Sequence, residues 1–349
     1  MDHHLSIESL RRKTIDCHSH VGMDLKSYGC GEYPYGQTIE ELVCKQKAAD
    51  VDVNIVFPAG GSLFFEPSGF VQGEMRPAEN PLSPAPYARE NELLLLEIFE
   101  FNPEHRDRFL PFVMVDPARK VSTQLEVLRG LEERFPIYGV KVAGVNCQSK
   151  TNALLDEGRA LLDYASERDL PLLLHTTVDP QEEYSHAQMC FEVIDENPQL
   201  RFCLAHCIGF HAGYLNRAAR MPNVWVDTAA LKIQVQCVRE TNGIMAPETE
   251  GFEADYSDHK EVMGALMERY PETILWGTDS PWYTFICRRK QGEGSFREFR
   301  LKGSYEEEKA ALDSLPDDLR LRACNANVRE FLFRDLTGLL GGSIKIPGG

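Results

Sequence analysis

No stretch of this sequence approaches the run of roughly 20 apolar residues needed to cross a bilayer, so a helical membrane span is not expected. Positive charge is scarce: 37 Lys and Arg stand against 54 Asp and Glu, for a net charge of −17. A nucleic-acid groove needs clustered cations, and so does docking on an anionic membrane, so neither partner is expected. CxxC pairs are absent although there are 10 cysteines. Cys17, Cys203 and Cys207 sit in apolar runs, where cysteine behaves as a small hydrophobe, and a chain of 349 residues needs no disulfide staples. Reduced thiols in a cytoplasmic protein are the expectation. The first residues carry charge with no apolar stretch behind them, unlike a secretory signal. Repeats, low-complexity tracts and linkers are also missing, which points to one domain over 1–349.

What is present is alternation. Apolar β-rich runs at 14–22, 53–60, 109–116, 137–144, 171–178, 201–209, 224–230 and 273–282 read as strands covered on both faces. Between them, 39–49, 89–101, 123–135, 157–168, 187–196, 214–221 and 261–270 place apolar residues three and four apart, as helices do. Eight strand–helix units make a closed (β/α)8 barrel, an α/β TIM barrel, with strands over about 14–282 and C-terminal helices over about 305–340. An open dinucleotide-binding sheet would carry GxGxxG after its first strand; this chain has HSHVGMD there. The stretches 61–87, 232–258 and 283–305 read as insertions on the strand-to-helix side, where barrel enzymes build their sites.

The first strand carries Asp16-Cys17-His18-Ser19-His20. Strict alternation would put Asp16, His18 and His20 on one face, pointing inward. Two imidazoles and a carboxylate are costly to bury unless paired or bound to a metal, and two histidine nitrogens suit Zn2+. Alone, the pattern also fits core histidines satisfied by backbone carbonyls. Three more strands end in a polar residue: the fifth in His175, the sixth in His206 and the eighth in Asp279. Polar groups at the C-terminal ends of barrel strands read as catalytic, and their convergence on one rim favours a metal site.

The set D-x-H-x-H on strand one, His175, His206 and Gly277-Thr278-Asp279-Ser280-Pro281-Trp282 resembles the amidohydrolase superfamily. It is most similar to the amidohydrolase-related (amidohydrolase 2) branch, which includes aminocarboxymuconate-semialdehyde decarboxylase-like enzymes; Asn325 on the last helix extends the likeness. The resemblance implies His18, His20, His175 and Asp279 as metal ligands, with Asp279 also a general base. It implies His206 beside the activated water or the substrate, and Asp16 orienting a ligand histidine by a hydrogen bond. One divalent ion, zinc, is expected. Lys141 on strand four would bring a second ion if carboxylated; otherwise it would bind a substrate carboxylate or pair with Asp279.

His211 and Trp282 are candidate substrate contacts, with a helix start and closure of the barrel end as their plainer roles. Arg288, Arg289 and Lys290 read as a solvated loop, and the remaining histidines as surface residues. The expected activity is hydrolysis of a small-molecule lactone, amide or cyclic amide by metal-activated water. The alternatives are non-oxidative decarboxylation of a small aromatic or dienoic acid and, behind it, a non-catalytic metal-binding barrel. The expected partners are a small-molecule substrate and a second copy of the chain in a homodimer.

Overall fold

Branched and aromatic side chains fill the strand-forming runs, VNIVFP and FLPFVMV among them, because they pack well on a pleated surface covered on both faces. A computed structural model describes residues 5–31 and 33–333. Its strands are β1 (Ile15–Met23), β2 (Gly36–Gln37), β3 (Val53–Pro58), β4 (Phe109–Val115), β5 (Gly139–Val142), β6 (Leu172–Leu174), β7 (Phe202–Leu204), β8 (Val224–Asp227), β9 (Ile274–Leu275), β10 (Thr284–Gly292) and β11 (Ser295–Lys302). Strands β1 and β3 to β9 pair in parallel, in chain order, and β2 adds to β1 antiparallel. Beyond β9 the chain returns to β1. The Cys17 amide donates to the Trp276 carbonyl at 3.1 Å, Asp279 to His18 at 2.8 Å and His20 to Ser280 at 2.7 Å. These bonds close the expected (β/α)8 barrel.

Side chains alternate across the wall. Phe57, Met114, Leu173, Cys203, Trp225 and Leu275 form one cluster, inside the barrel. Val113, Val140, Val142, Leu172, Leu174 and Val226 belong to the other, between strands and helices. The helix Arg159–Glu167 shows how the outer layer is sealed: Leu161, Leu162 and Ala165 are buried, while Arg159 and Asp163 pair outside at 3.3 Å. A capping box between Thr38 and Glu41 starts the helix Ile39–Ala48, a device worth about 1 kcal/mol. At the end where the strands begin, Phe331 packs on Phe112 and Trp225. Asn325 there donates to the carbonyls of Leu10 and Lys13 at 2.9 and 2.6 Å.

Three expectations are corrected. The stretch 232–258 is not wholly an insertion, because the helix Leu231–Arg239 runs into it. The stretch 283–305 is largely the antiparallel ribbon β10–β11 rather than irregular loop. The later strands are shorter than their apolar runs: β6 ends at Leu174, one residue before His175, whose amide still donates to the Val142 carbonyl at 2.8 Å. The C-terminal helices are Tyr305–Asp313, Asp317–Leu321 and Asn327–Leu332, and the part expected beyond 333 lies outside the described residues. Among the described residues no helix is long and apolar enough to cross a membrane.

Candidate active site

The site begins with an irregularity in β1. Asp16 pairs with Asn54 of β3 but Ser19 pairs with Val56, so the register shifts between them. Such a bulge breaks the period of two and re-aims side chains. Cys17 joins the interior cluster, and His18 and His20 face the site beside Phe57. Asp16 and Ser19 bond to each other, away from the imidazoles. The expectation that Asp16 shares a face with both histidines is therefore corrected. Its carboxylate instead accepts from the His18 amide, Ser19, Asn54, Tyr305 and both the amide and hydroxyl of Thr278, at 2.7–3.1 Å. It fastens the seam where β1 meets the segment after β9 and orients no imidazole ring.

Asp227, at the end of β8, orients His18. Its Oδ2 lies 2.8 Å from His18 Nδ1, and its Oδ1 accepts the His206 amide at 2.9 Å. Burial would raise the Asp227 carboxyl, but His18 overrides it and holds the group below its ordinary value. An ionised carboxylate accepts, so the His18 proton sits on Nδ1. His20 Nδ1 lies 3.1 Å from the Pro58 carbonyl and must donate there as well. In the neutral rings both Nε2 atoms then carry lone pairs, and they lie 3.2 and 3.3 Å from the same atom, Asp279 Oδ1. That oxygen is buried and has no hydrogen-bond partner.

The electrostatics agree. Burial opposes ionisation of Asp279, yet His18, His20 and His206 hold it well below the usual carboxylate range. Burial and Lys141 lower the His18 imidazole, but Asp227 and Asp279 on either side lift it above its ordinary value. The field thus favours positive charge between His18 and Asp279. One proton on His18 would still leave the His20 lone pair facing the carboxylate, whereas a divalent cation would satisfy all three donor atoms. Donor atoms of His18, His206 and Asp279 lie within 4.8 Å of one another. The residues fit a metal.

His206 Nε2 is 3.1 Å from His175 Nδ1, and its own Nδ1 is 3.2 Å from the Ala229 carbonyl. His206, expected outside the ligands, belongs to the compact donor group, and His175 reaches that group through His206. Burial pushes His20, His175 and His206 down, so these imidazoles are neutral near pH 7. Lys141 Nζ lies 3.4 Å from His18 Nε2 and over the Phe57 ring, and burial pulls it down to about 8. Among the described residues it forms no ion pair with Asp279.

Backbone shape sets two of these groups. His206 opens a run of five residues, to Phe210, at φ between 49° and 61°, and Asp279 sits at 60°. Left-handed backbone costs a non-glycine residue about 1–2 kcal/mol, and such strain collects at functional sites. Gly277 lets the seam close: a Cβ there would lie 2.9 Å from the His18 Cβ and 3.1 Å from Cys17 Sγ.

A cavity of about 330 Å3 opens over the group, lined by His20, Lys141, His175, His206 and Asp279, with Trp282 on its wall. His211 does not line it; its side chain caps the helix Ala212–Ala219 and pairs with Glu250 at 3.3 Å. The reading of Arg288 to Lys290 as solvated also changes. Arg289 is buried against Asp179 and donates to the carbonyls of Asn242 and Gly243. His259 bridges Asp258 and the Glu307 carbonyl, both at 2.9 Å.

No curated protein sequence matches this chain. Among solved structures, the fold is similar to 2,6-dihydroxybenzoate decarboxylase from Rhizobium, with a TM-score of 0.56 at 14% identity, covering 92% of this chain and 98% of that one. It is similar to 5-carboxyvanillate decarboxylase from Sphingomonas paucimobilis, with a TM-score of 0.54 at 11% identity and coverage of 92% and 98%. A protein named a probable 2-pyrone-4,6-dicarboxylic acid hydrolase from Acinetobacter baumannii gives 0.54 at 12% identity, covering 92% and 99%. At these identities the likeness shows the fold alone. The amidohydrolase family model matches residues 65–334, most of the chain but not the Asp16–His20 segment, which the geometry places in the site. The chain belongs to the amidohydrolase family, in its amidohydrolase 2 branch.

Proposed function

We propose that this protein is a metal-dependent hydrolase of a small-molecule lactone, amide or cyclic amide. The observation that carries the proposal is the convergence of His18 Nε2 and His20 Nε2, at 3.2 and 3.3 Å, on the buried Asp279 Oδ1. His18, His20 and Asp279 would hold one divalent ion, zinc by donor type, with His175 as a fourth donor. Such an ion supplies Lewis acidity towards a carbonyl oxygen and acidifies water towards a pKa of about 7. The protein's own groups do the rest. Asp279 is ionised at neutral pH and can take a proton from attacking water and return it to the leaving group. Neutral His206 stands beside it to steady the substrate oxygen, and the Lys141 amine, 3.4 Å from His18 Nε2 and on the cavity wall, offers a further donor.

A second reading, non-oxidative decarboxylation of a small aromatic or dienoic acid, draws support from Lys141, whose buried amine could receive a carboxylate. Metal analysis of the purified protein beside His18→Ala tests the first proposal. A stoichiometric divalent ion in the wild type and its loss in the variant are expected; a metal-free wild type that takes up none on reconstitution would sink it. Screening lactones, amides and aromatic acids then separates the reactions, since carbon dioxide release would establish the second reading.

A further inference from the structure

The ribbon β10–β11 forms part of the cavity wall. Phe285 of β10 and Leu301 of β11 line it, together with Ile233, Ile244, Met245 and Trp282. Five of these six side chains also meet one another: Ile233 and Leu301 are buried in a small apolar cluster, with Ile244, Met245 and Phe285 packed on it. The polar lining faces them from the other loops, with Asp24, Lys26, Ser27 and Asn146 beside the catalytic rim.

The ribbon is held in place at two further points. Gln236 donates to the Arg300 carbonyl and accepts the Lys302 amide, both at 3.0 Å. Arg289 reaches from β10 to Asp179, on the loop after His175, and to the carbonyls of Asn242 and Gly243. Three of the five N–H donors of this buried guanidinium are committed to a carboxylate and two carbonyls, and Arg289 does not line the cavity. No arginine lines the cavity among the described residues. The ribbon therefore offers the substrate apolar surface and no countercharge.

We propose that β10–β11 sets specificity, and that the substrate carries an uncharged apolar group, an aromatic ring or branched aliphatic chain, on the side of its reacting carbonyl that faces Phe285 and Leu301. This rests on the reading of a metal at His18, His20 and Asp279, and the test separates the two. Hydroxamic acids chelate divalent metals, so acetohydroxamic and 3-phenylpropionohydroxamic acids can be titrated calorimetrically into the metal-loaded protein. Burial of the phenyl group is expected to favour the second ligand by on the order of tenfold to a hundredfold. In Phe285→Ala/Leu301→Ala the ratio between the two should fall towards one. In Leu301→Trp, which fills the space and keeps the ribbon apolar, it should invert. Equal affinities in the wild type would overturn the specificity proposal and leave the metal site standing, as would a ratio untouched by both variants. Failure of either ligand to bind a protein that takes up no metal would overturn both.

Discussion

His18 Nδ1 and Asp227 Oδ2 face each other at 2.8 Å, with both side chains buried. This contact decides which nitrogen of His18 is free, because a carboxylate can only accept. Asp227→Asn replaces one oxygen with an amide that donates, so His18 can turn its proton towards Asp279. Metal affinity is expected to fall about 10- to 100-fold, the usual cost of losing a partner behind a ligand histidine. Competition with a chromogenic chelator measures it, and an affinity equal to the wild type would show that Asp227 does not control the tautomer.

Asp16 should behave differently. It accepts six hydrogen bonds at the seam of the barrel and touches no imidazole ring. Asp16→Asn would set an amide against donors in a buried network, at an expected cost of about 3 kcal/mol. Urea unfolding should show the loss. Folded variant should still bind the metal within a few-fold of wild type. A large drop in affinity with little change in stability would restore Asp16 to the orienting role that its spacing suggested.

The sequence misplaces Asp16 because its face is set by pairing with a distant strand. A period of two assigns faces only while the register holds, and the shift between Asp16 and Ser19 depends on pairing with Asn54 and Val56, which are far along the chain. Asp227 was legible by the same rule that singles out His175 and Asp279, since Val224-Trp225-Val226-Asp227 is an apolar strand ending in a carboxylate. The barrel itself was readable because its runs are long and apolar on both faces. The β10–β11 ribbon was not: its outer residues are charged, its core contacts come from Ile233 and Met245, and only tertiary packing shows that Arg289 points inward.

Gly277→Ala tests how tightly the seam closes. The added methyl would meet the His18 Cβ and Cys17 Sγ at 2.9 and 3.1 Å, inside normal contact. Overpacking of this kind costs about 1–3 kcal/mol, and here it presses on a ligand histidine. Lower thermal stability and weaker metal binding should appear together. A variant with unchanged metal affinity would mean that β1 gives way without moving His18.

Glu308 provides a pH test away from the metal. Its carboxyl is buried at the start of the helix Leu231–Arg239, where Oε1 accepts the Lys232 amide at 3.0 Å, and burial raises it well above its ordinary value of 4.5. Below that ordinary value the group is protonated in folded and unfolded chains alike and contributes no pH dependence. As pH rises past it, the unfolded chain releases the proton first and the folded chain keeps it. Stability then falls by about 1.4 kcal/mol per pH unit until the folded group ionises too. Glu308→Gln keeps the accepting oxygen and removes the titration. With chelator present to strip metal from both proteins, urea midpoints from pH 4 to pH 8 should start together and separate, the variant becoming the more stable. A gap of constant size across that range would show that the Glu308 proton is not what links its burial to stability.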